Sequence, residues 1–362
     1  MAAGRPFARF PLVARPRPVC MPLADRVADL TARASAATAT GDLASAASVY
    51  NLAALIASDC DLPDLARQWC HDHTSAYLRA TNRGAQVGRY ALEPMVNLAR
   101  LHIRAGRSDS GYQLLEGLFT AITNGDDVRV EGFTVPADLI AGDEERRTVR
   151  EWLWTILLSD GTRALASAGR WAQAHRQLRA YGGIGKRMLD GRQVAVIAHA
   201  TAGDLETARR LVDTTDHDEQ PWLNAVTACL AVLCNPEPFA DQVDTMTTQY
   251  QQLALSPELA VFGTRLGLAV IEAAGGPTHP AAQAATTRLV DHAMAVRDGY
   301  AARDVLKHPG ITALLQWRQQ VALCAVVRAS ALDGKDMPPR LRLEIEGALT
   351  AARAVIRSVS TA

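Results

Sequence analysis

Apolar residues recur every three or four positions along most of this chain, and Gly and Pro interrupt the runs at intervals. That spacing stacks apolar side chains on one face of an α-helix. It predicts helices over 22–40, 43–58, 62–81, 87–105, 108–123, 143–168, 170–181, 186–202, 204–214, 219–234, 239–254, 256–274, 280–298, 309–333 and 338–358. Start signals stand at Asp42 before Leu43, at Asp61-Leu62-Pro63, at Ser256-Pro257 and at Met337-Pro338-Pro339. Ala and Leu, both strong helix formers, fill the interiors. One stretch departs from the pattern. After Asn124-Gly125-Asp126-Asp127, the segment from Val128 to Val135 alternates β-branched and polar residues around Glu131-Gly132. This predicts a short β-hairpin near 126–136, inserted between two helices of an otherwise all-α chain. An insertion of this length serves either as a lid or binding element or as decoration.

Four places share a sharper pattern: Thr40-Gly41 with Ala46, Ala105-Gly106 with Gly111, Ala168-Gly169 with Ala174, and Ala202-Gly203 with Ala208. In each, a helix ends at a Gly, where positive φ is cheap, and a small residue five positions on lets the next helix pack closely. Gly169 and Gly203 are 34 residues apart, while Gly41 to Gly106 and Gly106 to Gly169 span 65 and 63. The pattern resembles the tetratricopeptide repeat (TPR), whose paired helices carry these residues on a 34-residue period. Ala34 and Ala99 match the family's small residue in the first helix, where Thr162 and Val196 depart from it; Tyr50, Leu115, Leu178 and Val212 match its later apolar position. The resemblance implies a TPR-like α-solenoid, an array of helical hairpins. It covers residues 22–215, leaves the helix at 62–81 without a partner, and implies that the array continues without clear phase over 216–362.

The 87–105 helix carries a polar stripe. Arg89, Glu93, Asn97, Arg100 and Arg104 follow one another by four, four, three and four residues, so they share one side, away from Leu92, Val96, Ala99 and Ile103. Under the TPR resemblance these positions face the concave groove, joined by Arg163 and then by Asp190 and Gln193 on the next first helices. Arg, Asn and Gln suit peptide backbone or carboxylate recognition; the plain alternative is a solvated face of ion pairs. Tyr181-Gly182-Gly183-Ile184-Gly185-Lys186-Arg187 lacks the hydroxyl, the first Gly and the strand of a nucleotide-binding loop. Its backbone amides, with Lys186 and Arg187, could hold an anion at the start of the 186–202 helix, or the segment is a plain turn. In Cys70-His71-Asp72-His73 the two His are two apart on a helix and face different ways, which argues against one shared metal; His73 aligns instead with Trp69 and Tyr77.

Composition narrows the function classes. Lys+Arg and Asp+Glu number 38 each, so charge gives no reason to expect nucleic acid or an acidic membrane. The basic residues are nearly all Arg, with lysines only at 186, 307 and 335, and with the abundant Ala this fits a GC-rich bacterial coding bias. Six scattered Cys read as reduced thiols, and no apolar run is long enough to span a membrane, so a soluble cytoplasmic protein is expected. Residues 1–21, alternating Arg with Pro, read as a disordered extension or as sequence upstream of a start at Met21. No catalytic fingerprint occurs and no cofactor is expected. The leading reading is an interaction protein, accessory or regulatory, that binds a peptide or protein partner in a concave polar groove. The other is an all-α enzyme or sensor that holds a charged ligand under 124–140, with Glu93, Asn97, Arg100, Arg163, Lys186 and Arg192 around it.

Overall fold

A computed structural model of the chain describes residues 7–78, 84–216, 219–334 and 336–360. Its helices are α1 (Leu23–Thr40), α2 (Leu43–Asp59), α3 (Pro63–Tyr77), α4 (Ala85–Arg104), α5 (Ser108–Asn124), α6 (Asp143–Ile156), α7 (Thr162–Ser167), α8 (Trp171–Ala180), α9 (Asp190–Thr201), α10 (Leu205–Asp213), α11 (Pro221–Leu233), α12 (Ala240–Gln252), α13 (Ala260–Ala273), α14 (Gln283–Val296), α15 (Gly299–Leu306), α16 (Pro309–Thr312), α17 (Trp317–Ala329) and α18 (Pro339–Ser360). Between α5 and α6 lies an antiparallel hairpin of β1 (Val128–Val130) and β2 (Phe133–Val135), with Val128 opposite Val135 and Val130 opposite Phe133. The chain is therefore all-α with one small β insertion, where the alternation of Val, Thr and Phe placed it.

Chain contacts divide the protein into two compact units, and not at 215. The first holds residues 22–164 and 331–362; the second holds 1–21 and 165–330, with the division falling inside α7. In the first unit, α18 packs along α1, α2 and α3, with its Ile345, Ala348, Leu349, Ala352 and Ile356 buried. The helix expected at 62–81 to lack a partner is α3, and it packs against both α2 and α4; positions 79–81 lie outside the described residues. Its His73 is 1% exposed, stacked on Tyr50 at 4.7 Å and tilted against Tyr77 at 5.4 Å.

The four Gly turns have one geometry. Gly41, Gly106, Gly169 and Gly203 sit at φ of 69°, 75°, 71° and 83°. The small residue that follows each is buried, and at Gly111 the reason is explicit. A Cβ there would lie 2.7 Å from Ile103 Cγ1 and 2.8 Å from the Ala99 carbonyl oxygen, so α5 crosses α4 closer than any side chain permits.

In the second unit, α8, α9 and α10 pack in sequence, α11 lies on α12 and α13, and α13 also meets α14 and α15. Residues 7–21, expected to be disordered, are held in this unit, while 1–6 lie outside the described residues. Phe7, Phe10, Leu12 and Cys20 are buried. The fully buried Gln193 side chain accepts from the Leu12 N–H and donates to its carbonyl, both at 2.7 Å. Asp298, 1% exposed, takes the Cys20 N–H at 2.6 Å. These partners lie 181 and 278 positions along the chain, beyond the reach of a local reading of Arg and Pro.

Other boundaries differ for local reasons. The predicted 143–168 helix is widened into a π-turn at Leu157–Gly161, with Gly161 packed beside Leu157 and the Tyr112 ring. The predicted 309–333 helix is α16 and α17 with a break between them. The pattern passed over α15, a short helix entered through Arg297 at φ 55° and capped by Asp298, which accepts from the Ala301 N–H at 2.8 Å.

Two measurements check this packing. Gly111→Ala improves helix propensity by about 1 kcal/mol, yet it drives a methyl into a backbone oxygen, and overpacking of that kind costs about 1–3 kcal/mol. A lower urea midpoint is expected; a variant as stable as wild type would mean that α4 and α5 are not in contact there. Burial pushes the His73 pKa down from 6.5 to about 3. Between those values the unfolded chain holds a proton that the folded one does not, so stability falls as pH drops from 6.5, at up to about 1.4 kcal/mol per pH unit. His73→Phe should flatten the dependence of the urea midpoint between pH 7 and 4.5, and an unchanged slope would place the imidazole in water.

Candidate functional site

The polar stripe of α4 is a ladder of donors and acceptors held from α2 and from the π-turn. Arg89 Nε donates to Glu93 Oε1 at 3.1 Å, and Glu93 Oε2 accepts from Asn51 Nδ2 at 2.9 Å. Asn51 Oδ1 accepts from Asn97 Nδ2 at 2.8 Å, and Asn97 Oδ1 accepts from Arg100 Nη1 at 2.9 Å. Arg100 then grips Asp160 Oδ2 through Nε at 2.8 Å and Nη2 at 2.7 Å. One turn on, Arg104 Nη1 donates to Ser58 Oγ and Asp59 Oδ1, both at 2.9 Å, and the other Asp59 oxygen takes Arg26 at 2.7 Å. The ion pairs of a solvated face are thus present, but with an ordered sense. The carboxylates of Glu93, Asp160 and Asp59 are covered, at 18%, 19% and 1% exposure, while Arg89, Arg100 and Arg104 remain 52%, 46% and 44% exposed. Acceptors face inward and guanidinium groups line the surface, an arrangement that suits carbonyl and carboxylate acceptors on a ligand.

A second cluster involves the other sequence-related parts of the first unit, α3, α4 and the hairpin. The two-residue turn Glu131-Gly132 has φ of 48° and 90°, as a type I′ hairpin requires. Glu lacks the tolerance of Asn or Gly for this region, and holding it there costs about 1–2 kcal/mol. What offsets the cost is its carboxylate. Oε1 lies 2.6 Å from His102 Nε2, while Oε2 takes Arg67 Nη1 and lies 3.3 Å from His71 Nε2. Arg107 Nε donates to His102 Nδ1 at 3.0 Å, which leaves the ring proton on Nε2, pointing at Glu131. The edge of the His71 ring meets Phe133 at 5.1 Å. Burial raises the Glu131 pKa, but hydrogen bonds from His102 and Arg67 and the Arg67 charge outweigh it and hold the carboxyl below the usual range. No sequence motif marked this cluster. The available signals were Glu in a turn position that favours Asn or Gly, and Arg67 and His71 four apart on one helix face.

Of the remaining expected site residues, Arg163 lies on α7 in the first unit, partly buried and three residues after Asp160. Lys186, Asp190, Arg192 and Gln193 belong to the second unit. Lys186 is exposed in a loop, and α9 begins at Asp190, four residues later than the anion reading required. An acid thus stands at the helix start, and it is paired with Arg15 at 2.7 Å. Arg192, 6% exposed, donates to the Leu211 carbonyl at 3.1 and 2.7 Å, to the Gly185 carbonyl at 3.1 Å, and to Thr214 and Thr215 Oγ1 at 2.9 and 2.8 Å. It satisfies the end of α10, and Gln193 holds the N-terminal segment; both are structural in this arrangement. A cavity of about 440 Å³ at the base of the hairpin is lined by Gln113, Glu116, Thr120, Asp126 and Asp127, and none of the expected residues reaches it. Cys70, His71, Asp72 and His73 go separate ways: Cys70 and His73 are buried, His71 meets Glu131, and Asp72 pairs with Arg353 at 3.4 Å.

Comparisons with protein-family models, with curated proteins and with solved structures return no match to this chain. Among the described residues, no helix is long and apolar enough to cross a membrane.

Substitution weighs turn strain against the carboxylate cluster. Glu131→Gly relieves about 1–2 kcal/mol of left-handed strain but removes hydrogen bonds to a charged group worth about 1.5–3 kcal/mol each. A net destabilisation is expected in thermal or urea unfolding, although Gly is the better turn residue. A variant more stable than wild type would mean that the cluster contributes nothing.

Proposed function

We propose that this chain is a helical-repeat interaction protein of tetratricopeptide type, and that the α4 ladder of its first unit binds an extended peptide or the tail of a protein partner. The observation that carries the reading is the ordered sense of that ladder, with guanidinium groups outermost and covered acceptors holding them. Pre-set Arg side chains lose little entropy on engaging carbonyl or carboxylate oxygens, so they favour such ligands. The repeated Gly turn geometry supports the repeat assignment, and balanced charge favours a peptide over nucleic acid. An accessory or regulatory role in the bacterial cytoplasm fits the composition and belongs to the same proposal. A small-molecule site under 124–140 has weaker support: the residues named for it divide between the two units, and the cavity there is walled by acids.

The test is affinity capture from the native host with wild type and with Arg89→Ala/Arg100→Ala, each checked for an unchanged fold by circular dichroism. Loss of the captured partners, or at least tenfold weaker binding of a purified one, is expected of the double variant. Recovery of the same partners by both proteins would sink the proposal.

A further inference from the structure

Three side chains converge on the Glu131 carboxylate, and all three come from helices rather than from the hairpin. Arg67 and His71 are four apart on α3, so one helix face presents both. His102 comes from α4, with Arg107 fixing which ring nitrogen points inward. The recess they form is a carboxylate receptor built on two packed helices. Its occupant is built differently. Glu131 rides at the turn end of a ribbon of two three-residue strands anchored by the buried Val130 and Val135, and it sits in a backbone region disfavoured for its side chain. Two packed helices thus hold a carboxylate whose own backbone is in a disfavoured conformation.

We propose that Arg67, His71 and His102 form a carboxylate-binding site, separate from the α4 ladder, that Glu131 fills from within the chain and that a glutamate side chain of an acidic peptide takes over. The chemistry selects a carboxylate. Two imidazole Nε2 atoms and one guanidinium divide between two oxygens of one planar group, His102 on one oxygen and Arg67 with His71 on the other. The resident group is a glutamate within a peptide turn, flanked by Val130 and Phe133, so a glutamate carried on a peptide reproduces it more closely than a free small acid. The resident Glu131 then acts as a tethered competitor, so the intact protein binds such a peptide weakly until the hairpin tip is released.

The probes are a synthetic peptide with the sequence of residues 127–136, the same peptide with Gln in place of its Glu, and glutarate. Each is titrated by calorimetry into full-length wild type, Glu131→Gly and Arg67→Ala/Glu131→Gly, while the His71 and His102 ring resonances are followed by NMR. Glu131→Gly is expected to bind the Glu-containing peptide at least tenfold more tightly than wild type, with both rings shifting. Binding should be lost with the Gln-containing peptide and in the double variant. Glu131→Gln and His102→Gln/Glu131→Gln repeat the comparison should either Gly-bearing protein fail to fold. No gain in affinity on opening the site, or binding that survives loss of Arg67 or His102, overturns the proposal. Glutarate binding as tightly as the peptide overturns the peptide as the ligand and makes the site one for free dicarboxylates.

Discussion

The arrangement of the first unit depends on how closely α5 can approach α4, and Gly111 sets that distance. With no Cβ at this position, the α5 backbone lies against the Ala99 carbonyl and Ile103. One face of α4 is thereby consumed by apolar contact, and its polar stripe turns toward α2 and the π-turn. Asn51, Ser58, Asp59 and Asp160 can then reach Glu93, Asn97, Arg100 and Arg104. A looser α4–α5 contact would cost more than packing. It would shift the partners that hold the Arg side chains in order.

The same helix serves two polar sites by the difference between 3.6 and its residue spacing. Arg100 and Arg104 are one turn apart and share a side, whereas His102, two residues from each, faces elsewhere and meets the hairpin. The ladder is a network in which every carboxylate has at least one cation, and Arg89, Arg100 and Arg104 stay at the surface while Arg26 is covered. The Glu131 cluster is its inverse, one carboxylate drawn inward by one guanidinium and two imidazoles from two helices.

Helix and hairpin existence were legible because they rest on local chemistry. The three-to-four spacing, the Gly turns and the alternation of Val128 to Val135 around Glu131-Gly132 each carry their cause within a few residues. The α4 stripe was legible for the same reason: one-sidedness is a property of helical period. Where spacing was read too far, it failed in identifiable ways. The 143–168 helix ran through a π-turn at Leu157–Gly161 that the spacing does not mark, and α15 was passed over because a cap at Asp298 replaces a long apolar run.

By itself, the sequence determined that this chain is helical, that four helix pairs turn at Gly41, Gly106, Gly169 and Gly203, and that a hairpin interrupts them. Only the tertiary structure decided which residues meet. It placed α18 beside α1 and α2, seated residues 7–21 on Gln193 and Asp298, and withdrew Arg192 and Gln193 from any surface by giving each a buried set of partners. It also put Glu131 among Arg67, His71 and His102, from 29 to 64 positions away. The physical reason is common to all of these. A hydrogen bond or ion pair between distant residues has no periodic signature, because its geometry exists only after the helices that carry it have packed.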